Sequence, residues 1–378
     1  MRSRWFIAKI PFCEPALRPP VGPREFPMSA ARDAIAELAY AFGTPTTSAL
    51  FKQRVEDFCV TEDLGFTPTG EGEHVCLHLR KRGITTQSLV RHLASMARIR
   101  EQDVGYAGLK DRQGICTQWF SLYLPGQPEV ATSSLANIGV ELLAYSRNSR
   151  KIRRGSHRAN DFHIRLRGVE AAQHDILEQR LAQILAQGVP NYFGEQRFGV
   201  ANQNVADAQR LFSGEITLRK GFRRGMLLSS ARSYLFNELL SERVTQGCWN
   251  HYLPGDVMNL AGSESVFVPQ LWDATLAARL ETGDIHPTGP LWGKGALRTS
   301  ADSRALEERV SSRHPALCTG LEQAGLLQSR RALRLPVGAL QWEFQDVDSL
   351  ELSFSLPPGA YASSVLREVC LLQEANKE

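Results

Sequence analysis

FKQRVEDFCVTEDLGFTPTGEGEHVCLHLRKRG, residues 51–83, changes texture in its middle. Phe58 and Val60 alternate with polar neighbours, TPTGEGE is turn chemistry, and Val75, Leu77 and Leu79 resume the period of two. The pattern reads as strand, turn, strand. Directly downstream, TTQSLVRHLASMARI shifts to helical spacing at Leu89, Val90, Leu93 and Met96, with Thr85 or Thr86 available as a cap. VGYAGLKDRQG and ICTQWFSLYL return to strand, as do VELLAYS and DFHIRLRGV, in which Phe162, Ile164 and Leu166 share a face. AQHDILEQRLAQILAQ then gives a long amphipathic helix that stops at Gly188-Val189-Pro190. Strands joined by hairpins and interrupted by helices predict an α+β fold with a mixed or antiparallel sheet, not a doubly wound one.

From about residue 188 the pattern differs. NVADAQRLFSG and SSARSYLFNELLSERVTQG are helical, DVMNLAG is a short strand, and GDIHPTGPLWGKGALRT reads as a Gly/Pro-rich loop. DSLELSFSLPPGAYASSVLREVCLL then returns to the pattern of the first half, a period-two strand followed by a helix from near Ala360. This layout predicts one domain interrupted by an inserted one. At the other end, six prolines between Pro11 and Pro27 predict an unfolded leader, and Met28 offers a second start. MSAARDAIAELAYAFG predicts a helix capped by Ser29, with Ile35, Leu38, Ala39 and Phe42 on one face.

A chain of 378 residues with 43% hydrophobic content can bury a sizeable core, and its length suggests two or three domains, of which two is the starting assumption. The net charge of +4 is too small for the whole surface to act as a polycation, so a nucleic-acid partner would need a local patch. Residues 147–167 supply one: Arg147, Arg150, Lys151, Arg153, Arg154, Arg158, Arg165 and Arg167 stand against Asp161 alone. RKGFRRG adds Arg219, Lys220, Arg223 and Arg224. Arginine forks onto phosphate where lysine is a point charge, which favours polyanion binding over a merely solvated face. Cys13, Cys59, Cys76, Cys116, Cys248, Cys318 and Cys370 form no C-x-x-C pair and an odd set, as expected of reduced thiols in the cytoplasm. No apolar run reaches the roughly 18 residues of a membrane span, and the short N-terminal hydrophobic stretch is broken by Lys9.

Candidate chemistry narrows by exclusion. There is no G-x-S-x-G elbow, no phosphate-binding P-loop and no Gly-rich nucleotide loop after an early strand. His74, Cys76 and His78 would share a strand face but lack a fourth ligand in any recognisable spacing, so no metal is expected. Asp111 remains, between Lys110 and Arg112 and close to Gly105, Gly108 and Gly114. Taken alone it fits a turn-stabilising acceptor at least as well as a reactive group. In a strand, Lys110 and Arg112 would point away from it, so a partly buried charge needs a distant cation, for which Lys52 is the candidate. Phe58, Phe162, Tyr192, Phe193, Phe198 and Tyr361 lie beside turns; each alone is a core ring, and one or two are candidates to stack on a base taken out of its helix.

Four motifs in order, FKQRVEDFCVTEDLGF, YAGLKDRQGICTQW, ANDFHIRLRGV with GVPNYFGEQRFG, and LPPGAYASSVLRE, resemble the TruD family of tRNA pseudouridine synthases. The resemblance spans about residues 46 to 370. It implies a pseudouridine-synthase catalytic domain over 46–187 plus 336–378, an inserted α/β family-specific domain over 188–335, and a leader with an N-terminal helix over 1–45. It further implies isomerisation of uridine to pseudouridine in tRNA, most simply at position 13, with no cofactor and no obligatory protein partner, by a cytoplasmic monomer. Asp111 takes the place of the catalytic aspartate, as nucleophile or base. Phe58, Asn160 and Tyr361 match positions that contact the target uridine, Phe162 an active-site aromatic, and Lys52 and Glu62 polar positions around the pocket. Arg150, Lys151, Arg153, Arg154, Arg223 and Arg224 are expected to meet the RNA backbone. The chain departs from the family at Gly114 and Cys116, where alanine and threonine are common, and at Tyr361, where some members carry phenylalanine. A rival from another class is an RNA-binding or RNA-folding module on the same scaffold that no longer catalyses.

Overall fold

Period-two rows demand a sheet with one covered face, and the structure supplies it. The computed structural model describes residues 38–126, 130–345 and 348–374. Its first half runs β1 (Ser48–Phe51), β2 (Phe58–Asp63), β3 (His74–Arg82), α1 (Thr86–Ala97), β4 (Val104–Tyr106), β5 (Ile115–Tyr123), β6 (Val140–Asn148), β7 (Ala159–Arg167) and α2 (His174–Gln187). The middle comprises β8 (Val189–Pro190), α3 (Gln203–Phe212), α4 (Phe222–Thr245), β9 (Met258–Leu260), β10 (Val266–Phe267), α5 (Ala274–Glu281), β11 (Ile285–Leu291), α6 (Ala301–Ser311), α7 (Pro315–Gln323), β12 (Ser329–Ala332) and β13 (Arg334–Leu335). The chain closes with β14 (Gly338–Gln345), β15 (Ser349–Leu356), α8 (Ala362–Val369) and β16 (Leu371–Glu374).

The main sheet has the order β14-β15-β7-β2-β5-β3-β6, with β1, β4 and β16 off this path. Most pairs are antiparallel, while β2 with β5 and β1 with β16 are parallel, so the sheet is mixed. Register fixes which residues share its inner face. Phe58, Val60 and Glu62 of β2 lie opposite Ile164, Phe162 and Asn160 of β7, and Leu79 and Lys81 of β3 lie opposite Gln118 and Cys116 of β5. Two apolar cores cover this face at its two ends. One joins Ile164, Leu166, Leu352 and Phe354 to Leu177 and Leu181 of α2 and Val365 of α8. The other joins Val75, Leu77, Leu79 and Phe120 to Leu89 and Leu93 of α1. Between them the inner face turns polar, at Glu62, Lys81, Gln118 and Asn160.

A smaller sheet, β10-β9-β11-β12, lies in the middle segment. The chain enters and leaves that segment side by side, because β8 pairs antiparallel with β13. Gly188 makes the approach feasible: a Cβ there would sit 2.5 Å from Leu335 O, and its φ is +72°.

Three expectations need correction. The helix from Ser29 lies mostly outside the described residues, as do the leader and Met28, and its described end, residues 38–43, is bend and turn. Side chains from α4 and α8 take the backbone groups a helix would pair internally: Ala39 N donates to Ser241 Oγ, Ala41 N to Glu368 Oε2, and Arg367 donates to the carbonyls of Leu38 and Ala39. The Gly/Pro-rich stretch contains β11, a buried strand. Its prolines are tolerated because β9 pairs with residues 285–287 and β12 with residues 288–291, so the two ladders divide the strand between them. Finally, Asp111 belongs to a loop between β4 and β5, not to a strand.

Candidate active site

The loop that carries Asp111 crosses the polar middle of the inner face, and buried polar side chains fix its backbone. Lys81, 1% exposed, occupies the inward row of Val75, Leu77 and Leu79. Its ammonium donates to the carbonyls of Ile84 (2.8 Å), Lys110 (3.3 Å) and Asp111 (2.6 Å). Burial lowers its pKa, and the Cys116 thiol and Asp111 partly offset this. Lys110 N donates to Thr86 Oγ1 at 2.9 Å, Thr86 donates to Gln118 Oε1 at 3.0 Å, and Gln118 Nε2 donates to Gly108 O at 3.2 Å. Such closed networks hold a backbone in one conformation, since a buried group left unpaired costs about 1–3 kcal/mol.

The cations beside Asp111 in sequence turn elsewhere. Lys110 Nζ pairs with Glu62 Oε2 at 2.7 Å, and Arg112 Nε donates to Gly83 O. The partner of Asp111 is Lys52, with Nζ 2.8 Å from Oδ2. The expected distant cation is therefore in place, although the loop rather than strand alternation separates the neighbours. Lys52 has a left-handed backbone, φ +58°, rare for a side chain of this length. Its ammonium stands 4.0 Å from the centre of the Phe58 ring as well as against the carboxylate. A second partner comes from the middle segment: Gln196 Nε2 lies 3.4 Å from Asp111 Oδ1. The Asp111 side chain keeps 30% of its surface exposed, so a ligand can reach it.

Rings and amides neighbour the loop that carries the carboxylate. Phe58 and Phe162 lie 6.1 Å apart between centres, and Phe162 stacks on Phe354 at 5.2 Å. Gly114 allows the loop to close on Phe58, because a Cβ there would fall 2.7 Å from Phe58 O. Asn160 is half-buried beside them. Its Oδ1 is buried with no hydrogen-bond partner among the described residues. Tyr361 stands at the N-cap of α8 and packs edge-on against Phe193 at 6.2 Å. Glu62 is placed differently from the rest: fully buried, it accepts from Lys110 Nζ and Trp119 N, and so braces the floor of the site. Tyr192, Phe193 and Phe198 are core rings, 1%, 7% and 1% exposed, and Phe58 at 5% is buried as deeply, so of the ring candidates Phe162 and Tyr361 keep accessible surface.

The middle segment reaches the site through the 191–198 loop. Arg331 on β12 donates to Asn191 Oδ1 and Gly359 O and lies 4.2 Å from the centre of the Phe193 ring. Burial pushes its pKa down to about 10. It thus ties the turn before Tyr361 to the loop that carries Gln196.

The arginine-rich run divides in two. Arg158 pairs with Asp63, Arg165 with Glu351 and Arg167 with Asp57. Arg150, Lys151 and Arg153, by contrast, line an open groove of about 770 Å³ with the half-exposed ring of Phe66. Arg154 donates to Tyr106 OH at 2.8 Å. Arg223 and Arg224 lie in the first turn of α4; Arg223 stands 3.9 Å from Asp207, and Arg224 donates to Leu218 O. His74 and His78 pack on Tyr123 and Trp119, and no group of three metal-ligating side chains occurs among the described residues. No helix among the described residues is long and apolar enough to cross a membrane.

Lys81, Gln196, Thr86 and Gln118 are site residues that sequence reasoning missed. Lys81 had a signal: it continues the inward row Val75, Leu77, Leu79 by two residues, where an apolar side chain is due. Gln196 sat inside GEQRFG but had nothing to tie it to Asp111, 85 residues away.

Comparison with known proteins gives the family and the fold. The family model described as tRNA pseudouridine synthase D (TruD) matches residues 35–211 and 217–369. A tRNA pseudouridine synthase D of Nitrosococcus oceani is 49% identical over 340 residues, covering 89% of this chain and 95% of the relative. That of Colwellia psychrerythraea is 41% identical over 347 residues, covering 89% and 94%. The crystal structure of a putative tRNA pseudouridine synthase D from Methanosarcina mazei superposes with a TM-score of 0.67 at 20% identity, over 88% of this chain and 95% of the other, and so shares the fold.

Proposed function

The chain belongs to the tRNA pseudouridine synthase D family, and from that premise we propose that Asp111 carries out its chemistry on a flipped-out uridine at tRNA position 13. The protein isomerises uridine to pseudouridine in tRNA. In that reaction the bond from ribose C1′ to N1 breaks, the uracil turns, C5 joins the same C1′, and the proton on C5 is lost as N1 gains one. Nothing is oxidised or reduced. The observation that carries the assignment is convergence: Lys52 from the end of β1 and Gln196 from the middle segment both meet Asp111, on a loop otherwise held from below by buried side chains.

An ionised carboxylate serves at the sugar as nucleophile or proton acceptor. Phe162 and Tyr361 offer ring surface to the uracil, with the buried Phe58 ring packed against Phe162 as the base of that apolar wall, and stacking returns about 1–3 kcal/mol of the few spent in unstacking. Asn160 offers an unpaired amide oxygen to the base edge, while Lys52 and Glu62 hold the charges around it. Arg150, Lys151, Arg153 and Arg154, with Arg223 and Arg224, meet phosphates. The catalytic domain comprises 46–187 and 336–378 and the insertion 188–335; the pairing of β8 with β13 at these junctions supports that division. We place the enzyme in the cytoplasm as a monomer without an obligatory protein partner.

The test is direct. Full-length protein incubated with uridine-labelled tRNA and no added cofactor should form pseudouridine, and Asp111→Asn should reduce the rate by at least about 10³-fold with tRNA affinity retained. Equal product from both would overturn the assignment of Asp111. Binding without product in either would favour a module that no longer catalyses.

A further inference from the structure

Beside Asn160 lies a buried histidine, His157, 8% exposed. Its turn is clamped on both sides, since Gly155 N donates to Ala107 O at 2.7 Å and Arg158 N to Asp63 O at 2.8 Å. The ring lies against the Asp111 loop: a Cβ added to Gly108 would meet His157 Cε1 at 3.7 Å. Asn160 Nδ2 stands 3.0 Å from His157 Nε2. An amide nitrogen carries hydrogens and no lone pair to give, so with the amide in this orientation Nε2 accepts and the ring proton belongs on Nδ1, which is likewise buried without a hydrogen-bond partner among the described residues. The Asn160 oxygen is thereby left bare, buried and without a partner among the described residues. Buried acceptors are almost always paired in a finished structure, so a bare one beside the Asp111 loop is a place for a donor from outside.

We propose that His157 is a positioning residue: it locks the Asn160 amide with its oxygen toward the target base, and this orientation selects uracil. The proposal rests on the functional reading in which Asn160 meets the base. Uracil presents an N3–H donor on its pairing edge, which a bare amide oxygen accepts. Cytosine presents a lone pair at the same atom, and two acceptors then face each other. The lock depends on a neutral ring. Protonated Nε2 would be a donor facing an amide donor; the amide then turns its oxygen to the ring and its nitrogen toward the base, a mismatch for N3–H.

The charged groups facing the ring are Lys110 from the Asp111 loop and Glu62 and Asp63 from β2. Burial foremost, and then the Lys110 ammonium, hold the imidazole below the ordinary histidine range against the two carboxylates. The histidine is therefore neutral above its depressed folded pKa, and activity is retained there and falls as pH drops through that value.

The experiment measures kcat/KM for pseudouridine formation from about pH 5 to 8, with tRNA Kd measured in parallel, for the native protein, His157→Gln and His157→Leu. Glutamine keeps an acceptor that does not titrate; leucine keeps bulk but no acceptor. His157→Gln is expected to stay within about three-fold of the native value at neutral pH and to lose the acid fall caused by His157. His157→Leu should drop about ten-fold in kcat/KM with unchanged Kd. An acid limb identical in the native protein and His157→Gln, or native kcat/KM in His157→Leu, overturns the role of His157 while the function stands. A native protein that makes no pseudouridine at any pH defeats the functional reading itself.

Discussion

Lys52 shows how much one residue's backbone decides. β1 ends at Phe51, and the left-handed turn at Lys52 aims its ammonium back over the Phe58 ring and onto Asp111 Oδ2. A charge-assisted hydrogen bond of this kind is worth about 1.5–3 kcal/mol. Its loss leaves Asp111 with Gln196, whose amide at 3.4 Å is a weaker hold. Lys52→Met keeps the length of the stem and its packing on the ring. We expect kcat to fall by roughly 10- to 100-fold with tRNA Kd within a factor of about two, because Lys52 belongs to the pocket and the backbone contacts lie elsewhere. If Lys52→Met raised KM and left kcat alone, Lys52 would be a substrate-binding cation and not the partner that holds the carboxylate in place.

At the level of the element, the site is a set of rows that change character. β2 runs inward as Phe58, Val60, Glu62, β3 as Val75, Leu77, Leu79, Lys81, and β7 as Asn160, Phe162, Ile164, Leu166. Each row is apolar where α1, α2 or α8 covers it and polar where none does. Lys81 is the clearest case, a buried ammonium whose described partners are backbone carbonyls. Lys81→Met should strip those carbonyls of their donor, lower Tm by roughly 5 °C and cut kcat about ten-fold at an unchanged tRNA Kd. A fall in Tm with native kcat would make Lys81 a purely structural lysine. These rows also explain what the sequence revealed. Strands β2, β3, β5, β6 and β7 and helices α1 and α2 were legible because their period is local, and Lys52 was a candidate for the distant cation, although the strand alternation that discounted Lys110 and Arg112 does not hold in the loop. β11 was hidden because its prolines read as loop, and a strand that divides its two ladders leaves no trace in period. The described end of the N-terminal segment is held by Ser241, Arg367 and Glu368, contacts from about 200 residues or more away that no local pattern encodes.

Across the whole molecule, charge is sorted by the sheet. The run from Arg147 to Arg167 looked uniform in sequence, yet it straddles the end of β6, a loop and all of β7, and these have different neighbours. On β7, Arg165 and Arg167 meet acids of adjoining segments, Glu351 and Asp57; Asp57 is buried, and burial would raise its pKa, but Arg167 and the Arg54 amide more than reverse this. In the loop, Arg150 and Arg153 are exposed and line the groove beside Phe66. A net charge of +4 therefore understates what an approaching polyanion meets. The two groups should separate in solution. Replacing Arg150 and Arg153 by glutamine should weaken tRNA binding and flatten the slope of log K against log salt by roughly 0.7–0.9 for each phosphate contact removed, about 1.5 in all. Arg167→Gln should leave that slope as it is and lower Tm, because it strands a buried carboxylate, a loss of about 3 kcal/mol. A native slope in the double variant would show that phosphates do not lie along this groove, and a flattened slope in Arg167→Gln would mean that the sheet arginines reach the RNA as well.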